Sequence, residues 1–143
     1  MDEITADWEK LPSYISLYDK LTYNDDDNNY TFILNNYKFE YDSVQQCCEW
    51  ADWHITEDPL KYEPKYSEKD NLIQDLNLIN NSTIISFKIG DFSIYDNVSM
   101  CVIDFLCTSG HKYLVFFNRQ ARYYYCHEFN FYINDKNIYK TFL

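Results

Sequence analysis

Met100-Cys101-Val102-Ile103-Asp104-Phe105-Leu106-Cys107-Thr108-Ser109-Gly110-His111-Lys112-Tyr113-Leu114-Val115-Phe116-Phe117 is the stretch that decides the fold class. Two β-type runs, Met100–Leu106 and Tyr113–Phe117, flank Thr108-Ser109-Gly110-His111. Gly110 stands where a hairpin needs positive φ. Strand periodicity puts Cys101, Ile103, Phe105 and Cys107 on one face, with Val102, Asp104 and Leu106 on the other.

The rest of the chain reads outward from that hairpin. Tyr30-Thr31-Phe32-Ile33-Leu34 and Tyr37-Lys38-Phe39-Glu40-Tyr41 alternate around Asn35-Asn36, a second tight hairpin. Thr83–Ile89 is a further β run, and Tyr124–Ile133 alternates as a last strand. The spacing of Leu11, Ile15, Tyr18 and Leu21 fits a helix over Thr5–Tyr23, although Tyr14-Ile15-Ser16-Leu17-Tyr18 also reads as a short strand. Ser43 and Gln46 have capping-box spacing, which predicts a short helical turn feeding a strand near Trp50–Ile55. Leu72–Leu78 reads as one helical turn. Asn24–Asn29 reads as an acidic loop, and Thr56–Asn71, with Pro59 and Pro64, as a long polar loop. The expected fold is α+β: one compact domain over residues 1–143, mainly antiparallel sheet, with one or two short helices.

The 143 residues carry a formal charge of −11, unevenly. Residues 1–75 hold 18 Asp and Glu against 6 Lys, and residues 76–143 hold 5 acids against 6 Lys and Arg. The acidic half is therefore −12, and the strand-rich half +1. Such a surface repels bare nucleic acid and anionic lipid, so neither is expected as a direct partner. The acidic start Met1–Asp7 has no apolar core of a secretory signal, and no run approaches the ~20 apolar residues of a membrane span. Five cysteines without framework spacing suggest reduced thiols and the cell interior, a cytoplasmic location.

Gln45-Gln46-Cys47-Cys48-Glu49 is the most unusual local string. Neighbouring Cα atoms are ~3.8 Å apart and bridged ones ~4.4–6.8 Å, so Cys47 and Cys48 make no ordinary disulfide with each other. A thiolate nucleophile would need a base from His54, His111 or His127. The alternative is plain core packing, common for free Cys. Cys126-His127 with Cys47-Cys48 lacks the two-to-four-residue ligand gaps of structural zinc, and Asp25-Asp26-Asp27 lacks EF-hand spacing. No metal and no cofactor is expected. Arg119 and Arg122, the only arginines, could bind an anion or simply tether their loop to the acidic half.

An aromatic hairpin, then Gln45, Cys47, Cys48 and Glu49, then Thr108 and Gly110 in a hairpin turn, then Tyr123 and Tyr124, together resemble a family. It comprises small uncharacterised proteins of bacteriophages and large DNA viruses, with a Gln-Asp-Cys-Cys-Glu signature. The resemblance runs from about Tyr30 to Ile133. Gln46 stands in place of the usual Asp, Asn118–Arg122 replaces a Gly- and Asn-containing turn, and the insertion after Thr56 has no counterpart. The resemblance implies a viral or phage origin and a β-rich fold. It implies no activity.

These readings favour a non-enzymatic accessory protein that binds and inhibits a host protein, such as an anti-CRISPR or other anti-defence inhibitor. Its carboxylates would imitate nucleic-acid phosphates on a basic surface. The expected binding residues are Asp25, Asp26, Asp27, Glu57, Asp58, Glu63, Glu68 and Asp70. Trp53 and Tyr62, with Trp8 and Trp50, would act as exposed apolar anchors. The rivals are a ligand-sequestering protein or cysteine-dependent enzyme using Cys47 and Cys48, and a structural or virion protein.

Overall fold

The computed structural model describes residues 9–10, 20–26, 28–45, 49–59, 63–65, 71–95, 97–120 and 126–143, with residues 9–10, 92–95 and 120 described by backbone alone. Ten strands and one helix lie among them, in the order β1 (Glu9–Lys10), β2 (Thr22–Asp25), β3 (Asn29–Leu34), β4 (Tyr37–Asp42), β5 (Glu49–Thr56), α1 (Asn77–Asn80), β6 (Ile84–Tyr95), β7 (Val98–Cys107), β8 (Gly110–Gln120), β9 (Glu128–Ile133) and β10 (Lys136–Phe142). Every pairing is antiparallel, in two sheets ordered β1-β6-β7-β8-β5 and β10-β9-β4-β3-β2. The protein is a compact α+β domain dominated by antiparallel sheet.

The two sheets face each other across aromatic rings. Phe32 and Tyr41 of the second sheet meet Phe116 of the first at 5.5 and 5.4 Å, and Phe39 meets Phe87 at 5.4 Å, all edge-on. Such geometry sets the negative ring face against a positive ring edge and adds about 0.5–1.5 kcal/mol per pair beyond area burial. As strand periodicity requires, Cys101, Ile103, Phe105 and Cys107 point into this core. Met100 and Val102 turn outward, where they join Trp50, Val98, Val115 and Phe117 in a second cluster on the far face of the first sheet.

The turns use the residues that tolerate left-handed backbone. Asn35 in the β3–β4 turn has φ +54°, and Asn134 and Asp135 between β9 and β10 have φ +51° and +65°. Gly110 follows the Thr108-Ser109 turn at φ +117°. Asp91 of β6 ties the sheets at one margin. Its Oδ2 accepts from the Tyr139 hydroxyl and, at 2.9 Å, from Thr141 Oγ1, both on β10.

Several expectations are corrected. The helix over Thr5–Tyr23 is absent where the chain is described: Glu9–Lys10 and Thr22–Asp25 are strands, and the remaining part lies outside the described residues. Tyr23 sits opposite Phe32 and packs on Trp53 at 5.1 Å, burial that a weak helical spacing does not match. The Asn24–Asn29 loop shrinks to a hairpin turn, closed by Asn28 N–H donating to Asp26 Oδ1 at 3.1 Å. Ser43–Gln45 are not helical, and Gln46–Cys48 lie outside the described residues. Asp42 Oδ1 takes the Val44 N–H at 2.9 Å, an Asx-turn that competes with helix. The helical turn after residue 71 is α1, displaced to Asn77–Asn80. β10 was not anticipated at all.

Candidate functional site

Strand β5 is an edge of the first sheet, and side-chain amides seal it. The Gln45 amide accepts from Ala51 N–H at 2.9 Å and donates to Ala51 carbonyl at 2.7 Å, as a neighbouring strand would. Gln74 Nε2 donates to the Trp53 carbonyl at 2.8 Å, and Ile55 N–H donates to the Ile73 carbonyl at 2.9 Å. Asn80 treats Leu21, just before β2, an edge strand of the second sheet, in the same way, at 2.9 and 2.8 Å. Blocking an edge suppresses unplanned strand pairing. This gives Gln45 of the signature string a structural task.

Glu49 opens β5 with its carboxylate buried. Its Oε1 lies 2.5 Å from His127 Nε2, and His127 Nδ1 lies 2.8 Å from the Asp42 carbonyl oxygen. Both ring nitrogens of His127 are thus engaged, which leaves no lone pair to serve a thiol as base. His54 is buried on β5, and burial pushes its imidazole down to about 4. His111 Nδ1 bonds Asp104 Oδ1 at 2.8 Å beside the β7–β8 turn. Burial, with Asp91 nearby, pushes the Cys101 thiol well above its ordinary value, and burial also raises Cys107. Such thiols are poor nucleophiles. Cys126 is exposed. Among the described residues no group of three or more His, Cys, Asp or Glu could hold a metal. Cys47 and Cys48 lie outside the described residues.

The carboxylates fall into two sets: one far along the sequence, Glu57–Glu63, and one near the β2–β3 turn. In the far set Glu57, just beyond Thr56, pairs with Lys112, which lowers its carboxyl. Glu63 pairs with Arg119 Nη1 at 3.0 Å, and the same nitrogen donates to the Pro64 carbonyl at 2.9 Å. Arg119 is therefore a tether to the acidic half. Asp58 stays close enough to Tyr113 to raise its phenol together with burial and Asp104.

The near set is different. Exposed Asp25 and Asp26 form the β2–β3 turn, and neither has an ion-pair partner among the described residues. Asp25, Asp42 and Asp52 converge electrostatically on Tyr30, whose phenol is pushed up by burial first and then by these carboxylates. Tyr23 is raised by burial, with Asp25 and Asp52 adding to it. The β2–β3–β5 margin is thus a patch of negative potential walled by two half-buried tyrosines. Asp42, Asp52, Tyr23 and Tyr30 were not among the anticipated site residues. Only the alternation of Tyr23 and Tyr30 around the acid run hinted at them.

Trp53 is not a surface anchor. It is 4% exposed, edge-on to Phe32 at 4.8 Å, because its side of β5 faces the core between the sheets. Trp50 faces the other way yet is 3% exposed, packed on Phe117 at 4.9 Å. Trp8, Asp27, Tyr62, Glu68 and Asp70 lie outside the described residues. No helix among the described residues is long and apolar enough to cross a membrane. No family model, no curated protein and no solved structure matches the chain.

Proposed function

We propose that this chain is a non-enzymatic accessory protein, of viral or phage origin, that binds a basic nucleic-acid-binding surface of a host protein inside the cell and blocks it. The observation that carries the reading is the near acidic set. Asp25 and Asp26 project from a hairpin turn without cationic partners among the described residues, backed by Asp42 and Asp52 around Tyr23 and Tyr30. Carboxylates in that setting imitate a short run of phosphates, and the hairpin fixes them before the encounter. The tyrosine rings supply apolar area beside the charge. The far set, tied by Lys112 and Arg119, serves the fold more than the partner. The resemblance at Gln45, Cys47, Cys48, Glu49 and Gly110 is the ground for the viral origin and bears on no activity.

The test is capture from host lysate with the wild type and an Asp25→Asn/Asp26→Asn/Asp27→Asn variant, at low and high salt. The expected catch is a nucleic-acid-binding protein that elutes with salt, is displaced by added DNA or RNA, and is lost with the variant. A partner that the variant keeps, or that nucleic acid does not displace, would sink the proposal.

A further inference from the structure

We infer that the His127 imidazole is a one-proton staple: it holds both ends of the β4–β5 connection and opens when that proton is lost or a second one arrives. Asp42 ends β4 and Glu49 begins β5, so the two groups on the ring are the two ends of one connection. The ring reaches them from the residue before β9. It is itself anchored there, since His127 and Leu143 exchange backbone hydrogen bonds of 2.8 and 2.9 Å. Asn118 Nδ2 on β8 in turn donates to the Leu143 carbonyl at 3.1 Å. The ring therefore joins β4 to β5, while the backbone of the same residue holds Leu143 after β10, to which Asn118 ties β8.

The proton count follows from the chemistry of the partners. A carbonyl oxygen only accepts, so Nδ1 carries a hydrogen. Nε2 and Oε1, 2.5 Å apart, must then share one more proton, because two facing lone pairs repel. Imidazolium with carboxylate, or imidazole with carboxylic acid, both satisfy this, and the pair is neutral either way. Neutrality suits a place where both side chains are 1% exposed. A second proton sets N–H against O–H and buries a net positive charge. Loss of the shared proton buries a carboxylate against a lone pair. Both changes drive the ring and Glu49 apart.

The titratable side chains around the ring, among the described residues, come from two strands. β5 gives Glu49. β4 gives the Asp42 carboxylate, 3.7 Å from Nδ1, and Tyr41, whose ring lies 5.9 Å away. Burial, then Glu49, hold the Tyr41 phenol protonated, and its hydroxyl donates to the Phe117 carbonyl at 2.9 Å. β8 presents Asn118, which does not titrate, and Leu143, bonded to the His127 backbone, adds the carboxyl group of the chain as given.

The staple is independent of any partner, and the full chain in isolation tests it. Histidine ring 15N and glutamate carboxyl 13C spectra across the pH range count the protons directly. At neutral pH we expect Nδ1–H and one further proton on the Nε2–Oε1 pair. A bare Nε2 facing an ionised Glu49, or a bare Nδ1, would overturn the inference. Amide exchange at Ser43 and Leu143, corrected for intrinsic rates, reports opening. It should accelerate about tenfold per pH unit on each side of a central window, the slope of one proton. Glu49→Gln, whose amide turns either end toward the ring, should lose the alkaline limb. An alkaline limb missing from the wild type, or kept in the variant, would refute the staple even if the spectra agreed.

Discussion

His54 should make the protein acid-sensitive from about pH 6.5 downward. It lies in mid-β5 with its ring 5.7 Å from Phe117, and burial lowers its imidazole from 6.5 to about 4. Below pH 6.5 the unfolded chain takes up a proton here that the folded chain refuses. Stability is therefore full above the unfolded value and is lost as pH falls toward and through about 4. At ~1.4 kcal/mol per unit, the loss is about 3 kcal/mol. That is a large part of the ~5–15 kcal/mol typical of a domain. The assay is urea unfolding of wild type and His54→Gln at several pH values between 7.5 and 4. Relief of self-repulsion and protonation of carboxylates act on both proteins, so the difference isolates His54. The wild type should weaken relative to the variant by about 1.4 kcal/mol per unit below the unfolded imidazole value. Parallel pH profiles would refute the reasoning, because they would mean that His54 takes its proton as readily folded as unfolded.

Three further outcomes follow from the same structure. Gln45→Ala removes both amide bonds to Ala51 and should destabilise by about 1–3 kcal/mol in denaturant titration, with Gln45→Glu, which keeps only the acceptor, in between. Gly110→Ala meets no atom within 4 Å of the new Cβ, so its cost is backbone strain at φ +117°, about 1–2 kcal/mol; thermal melts should show Gly110→Asn less affected. In the native protein iodoacetamide should label exposed Cys126 readily, while Cys101 and Cys107 react only after unfolding, a difference that mass spectrometry of peptides reads directly.

The strands that alternate cleanly were legible in the sequence. β7 and β8 flank the turn at Gly110, and β3 and β4 flank Asn35-Asn36, because each strand puts one face in the core. β10 was not legible. It is an edge strand, with Ile138 at 49% and Phe142 at 61% exposure, and its register shifts between Asn137 and Tyr139. Exposure and the bulge together erase the alternation. β5 has the opposite problem. Both its faces are buried, Trp50 on one and Trp53 on the other, so nothing local says which tryptophan is core. The site was harder still. Glu49 and His127 are 78 residues apart, and Gln45 works on a backbone it meets only through the turn of the chain. Capping-box spacing at Ser43 pointed to a helix because the same residue types also make Asx-turns. The charge split was legible, but which carboxylates meet Lys112 and Arg119 depends on where those two residues return in space.

In the proposed function, carboxylates of the β2–β3 turn that have no ion-pair partner among the described residues carry binding to a basic surface. The most direct measurement is the affinity of the purified chain for its captured partner across a salt series, for wild type and for Asp25→Asn/Asp26→Asn. Between 0.1 M and 1 M salt the screening length falls from about 10 Å to about 3 Å. The account predicts a steep loss of affinity with salt in the wild type, and weaker, flatter binding in the variant. A wild-type affinity that does not change with salt, or a variant that follows the wild-type curve, would contradict it.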